Sequence, residues 1–250
     1  MKNIFPDSKI IRIQQTASTN SYLMQLSNTE EPAEGTVVVA GNQTQGRGQS
    51  GNSWESEPGA NLTFSIILYP VSVKASGQFI LSKAISLAVY DFLSDCVPDV
   101  SVKWPNDVYV GNRKITGILI ENFIGGEYLT KTIAGIGVNI NQEQFMSDAP
   151  NPVSLRQLTG KTYPPDSCLQ SLHSSIANRY SMVTGDRKKL NSDYLQHLYL
   201  FGKSSRFSSG GVSFDATITG VNRYGMLEMT AANGERKTFG FKDVKFLGNY

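Results

Sequence analysis

The chain is poor in the residues that redox and metal centres need. Its 250 residues include two cysteines and two histidines. Cys96 and Cys168 stand far apart, without C-x-x-C spacing or flanking histidines, so they read as buried reduced thiols. His173 and His197 fall in helical-looking segments and lack the further ligands that zinc requires. G-x-S-x-G is absent, which removes the serine elbow of the α/β-hydrolases. No charge sign dominates: the formal net charge is +2, too small for a surface built to grip nucleic acid. No apolar run reaches membrane-spanning length, and the opening Met-Lys-Asn-Ile-Phe-Pro-Asp has no apolar signal-peptide core. A cytoplasmic protein with neither a nucleic-acid nor a membrane partner is expected.

What is present suits a folded protein: 40% hydrophobic and 18% charged residues, with no repeats or low-complexity tracts. The most informative stretch is Gly46-Arg47-Gly48-Gln49-Ser50-Gly51-Asn52-Ser53-Trp54. Its glycines satisfy G-x-G-x-x-G, and the β-branched run Thr36–Ala40 gives a preceding strand. The dinucleotide fingerprint also needs a helix opening on the last glycine. Here Pro58 and Gly59 punctuate the continuation as loop. A long glycine-rich loop with one arginine and a terminal tryptophan is therefore expected, not a Rossmann turn.

Along the chain, 9–14 reads as a strand, and Ser18, Thr19 and Asn20 offer caps for a short helix to about Ser27. Strands follow at 36–42 and 62–69, then an amphipathic helix over 76–95. Segments 100–103, 108–110, 114–123 and 128–140 form a meander with turns at Gly111-Asn112 and Gly125-Gly126. Hairpins exclude an all-parallel sheet. Leu169, Leu172, Ile176, Tyr180 and Val183 mark one helix, and 186–200 another. Residues 203–211 look like a linker, and short strands after it suggest a small SH3-like barrel. The expected class is α+β: a mixed, largely antiparallel sheet flanked by helices over 1–201, with the barrel in 202–250.

Three further segments carry chemistry. In Lys103-Trp104-Pro105-Asn106-Asp107, a lysine, an aromatic and a carboxylate leave a strand end together, although an ordinary turn would look the same. In Arg113–Leu119, Lys114 sits beside a hairpin turn and Gly117 clears a strand face; a solvated hairpin charge is the plainer reading of Lys114. In Gly135-Ile136-Gly137-Val138-Asn139, two glycines share a face and the amide could pair with an adenine edge, or the segment is a bulged strand with a turn-forming Asn. Together they suit an anionic ligand with an aromatic part, such as ATP or an acyl-adenylate, with Asp107 able to hold Mg²⁺. G-K-[ST] does not follow the glycines, so the ligand is not held by a P-loop.

In order, Ser18-Thr19-Asn20, Gln43, the G-R-G loop, K-W-P-N-D, R-K-x-x-G-I-L running to Glu121, G-I-G-V-N and Ser154-Leu155 resemble the biotin protein ligases along nearly the whole chain. The resemblance implies a class II synthetase-like core that makes biotinyl-5′-AMP from biotin and ATP. The biotinyl group then passes to a lysine of a biotin carboxyl carrier domain. It implies Ser18, Thr19 and Gln43 at the ureido ring, with Asn20, Gly117, Gly135 and Gly137 also around biotin. Arg47, Gly46 and Gly48 would hold the carboxylate and then the phosphate, and Lys114 would bridge carboxylate and α-phosphate as the central catalytic cation beside Arg47. Trp54, Asn139, Lys103 and Asn106 would serve the nucleotide, and Asp107 would sit at Mg²⁺. Gln49 stands where many bacterial members carry a second arginine, which implies a weaker hold on the adenylate. The first catalytic strand starts by about Lys9, so a helix-turn-helix and DNA binding are not expected. A lipoate–protein ligase is the nearest enzymatic alternative, a non-catalytic biotin or nucleotide sensor the alternative from another class, and a homodimer stays open.

Overall fold

The computed structural model describes residues 4–147 and 151–247. At its centre lies a seven-stranded sheet of β1 (Ile10–Thr16), β2 (Val37–Gln43), β3 (Leu62–Leu68), β4 (Val100–Lys103), β5 (Asp107–Val110), β6 (Arg113–Gly125) and β7 (Tyr128–Val138). The spatial order is β1-β2-β3-β7-β6-β5-β4. Only β1 and β2 pair in parallel; every other neighbour is antiparallel. A parallel pair needs a crossover, and α1 (Thr19–Thr29) provides it. The mixed, largely antiparallel α+β sheet expected from the sequence is what forms.

β3 is buried at all seven positions, yet its alternation is chemically split. Leu62, Phe64, Ile66 and Leu68 enter the main core with α2 (Phe79–Ser94) and α4 (Pro165–Thr184). Thr63 and Ser65 face the other way, toward α1. Leu23 of α1 closes a smaller apolar cluster with Val38, Ile67 and Ile133. One sheet face is thus sealed by two long helices, and the other is left partly open for a site.

Several boundaries differ from the sequence reading. Within the glycine loop only a single 3₁₀ turn forms, at Gln49–Gly51. The β6–β7 turn falls on Gly126-Glu127, not Gly125-Gly126, because a bulge at Phe123/Ile124 shifts the register and Gly125 pairs with Tyr128. Gly126 takes the positive φ of +62° that the turn requires. The last helix, α5 (Arg187–Gln196), stops before Leu198, which pairs with Val102 instead. α3 (Leu155–Thr159) is a short helix closed by a capping box between Ser154 and Gln157.

Residues 203–211 are not a linker. Ser204–Ser209 is β8, which pairs with β9 (Val212–Val221) through a turn at Gly210-Gly211. With β10 (Leu227–Ala231), β11 (Arg236–Phe239) and β12 (Lys245–Phe246) they make an antiparallel sheet ordered β11-β10-β9-β8-β12. Serine-rich composition hid a strand whose single apolar anchor, Phe207, is fully buried. This sheet buries Phe207, Ile218, Leu227 and Met229 in one cluster with Phe79, Leu87, Trp104 and Tyr194. Lys83 of α2 is 5% exposed in that seam. Its Nζ donates to Asn191 Oδ1 at 2.8 Å and to the Val221 carbonyl at 3.3 Å, and burial pushes its pKa down to about 8.

Both cysteines are free; Cys168 is buried, and Cys96 is only half-buried. His173 meets the Gly35 carbonyl at 2.9 Å, and His197 stacks on Tyr90 at 3.9 Å, so both are packing residues.

Candidate active site

A cavity of about 190 Å³ opens where the N-terminus of α1, the glycine loop and the polar face of β3, β6 and β7 meet. The β4–β5 turn and Phe241 with Lys242 complete its wall. Thirteen of the residues singled out in the sequence line it: Ser18, Thr19, Asn20, Gln43, Arg47, Gly48, Trp54, Asn106, Asp107, Lys114, Gly117, Gly135 and Gly137.

One end is a neutral hydrogen-bonding recess. Ser18 caps α1, and its hydroxyl accepts from the Ser21 N–H. Gln43 Oε1, at the end of β2, accepts from the Thr19 N–H at 2.9 Å and lies 3.1 Å from Thr19 Oγ1. Ser65 Oγ lies 2.7 Å from Thr19 Oγ1 and 2.6 Å from Asn20 Oδ1. Asn20 Nδ2 donates to Glu121 Oε2 at 2.7 Å. Buried polar groups in such a chain must all be satisfied, which fixes every member's rotamer.

The other end is cationic. Arg47 Nη2 bonds both oxygens of Glu121, at 3.2 and 3.1 Å. Lys114 Nζ pairs with Asp107 Oδ1 at 2.8 Å, with both side chains about four-fifths buried. Facing the Val108–Tyr109 step of β5, β6 carries a bulge whose extra residue is Ile115, with Lys114 opposite Tyr109 and Thr116 opposite Val108. That extra residue brings Lys114 to the same side of β6 as Gly117, where its Cε would lie 3.7 Å from a Cβ added at Gly117.

The three strand glycines make room for the protein's own side chains. Gly117 and Gly137 are register partners, and the Trp54 indole lies across both. A Cβ on Gly117 would come 2.8 Å from Trp54 Cζ3, and one on Gly137 would strike the indole nitrogen ring. Gly135 clears space for the Asn20 amide in the same way. These glycines do not simply open the sheet to a ligand, as the sequence reading supposed. Lys114 Nζ stands 5.8 Å from the Trp54 ring centroid, a cation over an aromatic face. Trp54 Nε1 is buried without a hydrogen-bond partner.

Three residues assigned to ligands lie elsewhere. Lys103 is the register partner of Asp107, but its Nζ donates to Tyr109 OH at 2.9 Å and sits 5.1 Å from the Phe246 ring, outside the cavity lining. Asn139 is 2% exposed, and its amide donates to the Val153 carbonyl, bracing the segment before α3. Gly46 lies beneath the Trp54 carbonyl and the Gln43 amide, so its role is close backbone approach. Asn106 lines the cavity, but its amide donates to the Ile118 carbonyl at 2.6 Å and stitches the turn to β6.

The sequence reading missed Thr63 and Ser65, whose signal was polar alternation within an apolar strand. It also missed Phe241 and Lys242, which carried no local signal and arrive from the C-terminal sheet. Among the described residues, no group of three His, Cys, Asp or Glu side chains could hold a metal. Among the described residues Asp107 is the one carboxylate lining the cavity, and Lys114 already pairs with it. That donor set fits Mg²⁺ arriving on substrate phosphates, not a resident ion.

A polar recess and two cations lining one cavity on a mixed sheet suit an enzyme that activates a carboxylic acid against a nucleotide. Residues 12–139 match the family model described as the biotin/lipoate A/B protein ligase family, and the chain belongs to that family. It is 27% identical over 230 residues to the bifunctional ligase/repressor BirA of Bacillus spizizenii, covering 89% of this chain and 70% of that protein. It is 31% identical over 150 residues to a biotin–[acetyl-CoA-carboxylase] ligase of Mycobacterium tuberculosis, 58% of this chain and 54% of that one. In fold it matches the Aquifex aeolicus biotin protein ligase solved with biotin and ATP: TM-score 0.77, 24% identity, 95% of this chain and 97% of that chain.

Proposed function

We propose that this protein is an ATP-dependent biotin–protein ligase. The observation that carries the reading is one cavity joining the Thr19–Gln43 recess to Arg47 and Lys114. A ureido ring offers both N–H donors and a carbonyl, which suits a recess built from hydroxyls and amides. The dithiolane of lipoate offers neither, so it would make none of the hydrogen bonds that a ureido ring could add there.

In the first step a carboxylate oxygen of biotin attacks the α-phosphorus of ATP, and pyrophosphate leaves; Mg²⁺, which Asp107 would help hold, would offset phosphate charge. Two anions must meet, so Lys114 and Arg47 act by positioning them and cancelling their repulsion. In the second step the neutral amine of a carrier lysine attacks the mixed-anhydride carbonyl; AMP leaves and the amine gives up a proton. The loop from Gly46 to Trp54 covers the adenylate and keeps water from it. We read 1–201 as the catalytic unit and 202–250 as an appended one that lends Phe241 and Lys242 to the cavity wall.

The test is incorporation of labelled biotin into a purified biotin carboxyl carrier domain with ATP and Mg²⁺. Label should appear on one carrier lysine, and AMP should form in equal amount. Turnover with lipoate or octanoate but not biotin would sink the assignment.

A further inference from the structure

Glu121 is absent from the roles assigned above, yet it is the joint between the two halves of the site. It follows Gly117 and Leu119 at alternate positions on β6 and so shares their face of the sheet. Its Oε2 accepts from Asn20 Nδ2 at 2.7 Å, and both its oxygens accept from Arg47 Nη2. Through Asn20 it joins Ser65, Thr19 and Gln43 at the neutral recess. The contacts make a closed circuit: Gln43, Thr19, Ser65, Asn20, Glu121, Arg47, and then three residues of backbone back to Gln43.

Arg47 needs such a holder. It projects from a loop with one 3₁₀ turn and one isolated bridge, Arg47 to Ser53, and its side chain is 46% exposed. A side chain that free loses about 2 kcal/mol of rotamer entropy when a ligand orders it. Glu121 engages Nη2 alone, which leaves Nε and Nη1 of the fork available to a second anion.

We propose that Glu121 is a positioning residue that holds Arg47 ready for the carboxylate of the acid substrate, a role that rests on the biotin reading above. Glu121 does not touch the substrate itself. It fixes the guanidinium before the ligand arrives, and it ties that orientation to the polar recess through Asn20.

The test is calorimetric binding to the full chain of two probes, biotin and its alcohol analogue biotinol, which lacks the carboxylate. Glu121→Gln keeps the volume but offers one acceptor to two donors, Arg47 and Asn20. Biotin should bind about tenfold more weakly, the size of one charge-assisted hydrogen bond. Biotinol should be unchanged within about twofold. In an Arg47→Ala background the Glu121→Gln effect on biotin should vanish, since the residue acts only through Arg47. Equal weakening of both probes, or an undiminished effect without Arg47, overturns the proposal and leaves a structural role. Unchanged or tighter biotin binding overturns it as well. If Glu121→Gln does not fold, Glu121→Asp, which keeps the charge on a shorter arm, should show the same acid-selective loss. Failure of the unsubstituted protein to bind biotin would instead remove the functional reading on which the proposal stands.

Discussion

The ammonium of Lys114 lies 2.8 Å from the carboxylate of Asp107, and both side chains are about four-fifths buried. The pair is formed before any ligand arrives. It holds the cation in place and costs part of its field, because an incoming phosphate meets a neutral pair. Lys114→Ala should therefore remove the cation and leave Asp107 unpaired among anions. Biotin-dependent exchange of pyrophosphate into ATP should fall by at least about 10³. Retention of near-normal exchange would take Lys114 out of the chemistry.

Gly137 exists for Trp54. In Gly137→Ala the added methyl strikes the indole, so the ring must move. We expect biotin affinity to drop about tenfold as the loop is pushed off the sheet. Trp54 and Trp104 are the two tryptophans, and Trp104 is buried against Phe241. A red shift in emission should then report Trp54 alone; an unshifted spectrum with normal affinity would place the ring elsewhere in solution.

An indole hydrogen bond ties the C-terminal sheet to the β4–β5 turn, beside their shared apolar cluster. Trp104 Nε1 donates to the Gly225 carbonyl at 2.8 Å, at a residue 4% exposed. Trp104→Phe leaves that carbonyl unpaired and should cost about 1–3 kcal/mol in denaturant unfolding. It should also raise the KM for ATP, since Phe241 and Lys242 reach the cavity from the sheet so anchored.

Lys83 gives the fold a pH signature. Burial lowers its pKa from 10.5 to about 8, with Glu228 pulling the other way. Between those values the unfolded chain binds the proton and the folded chain does not, so stability rises with pH across the window. Below pH 8 both states are protonated and the burial penalty stays in full. Its relief amounts to about 3 kcal/mol by pH 10.5. The difference in melting temperature between the native protein and Lys83→Met should thus grow from pH 8 to 10 in favour of the native one. A constant difference would contradict it.

Gln49 lines the cavity at the start of the 3₁₀ turn. Gln49→Arg adds a second cation to the loop and should slow escape of biotinyl-5′-AMP about tenfold, read by retention on the protein after rapid gel filtration. Unchanged escape would mean that position 49 does not face the phosphate.

The legible parts of this protein were those with local causes. Alternation in Leu62–Leu68 marked a strand, though the part its Thr63 and Ser65 play at the site went unread. Ser18 before Thr19 gave the α1 cap. The illegible parts depended on partners far along the chain. Lys103 is cationic and next to a lined turn, but Tyr109 and the distant Phe246 hold its ammonium. Ser204–Ser209 lacked apolar alternation, because only Phe207 reaches the core.

By itself the sequence determined the sheet class and the absence of a P-loop, and it singled out Gln43, Arg47 and Lys114 among the cavity's lining, since these follow from residue type and short-range spacing. Only the tertiary structure decided how the residues act together. It paired Lys114 with Asp107 and Arg47 with Glu121, laid Trp54 across Gly117 and Gly137, and brought Lys242 to the cavity from the far end of the chain. Such pairings arise between strands and loops tens of residues apart, where packing and charge neutralisation choose the partner and local preference has no say.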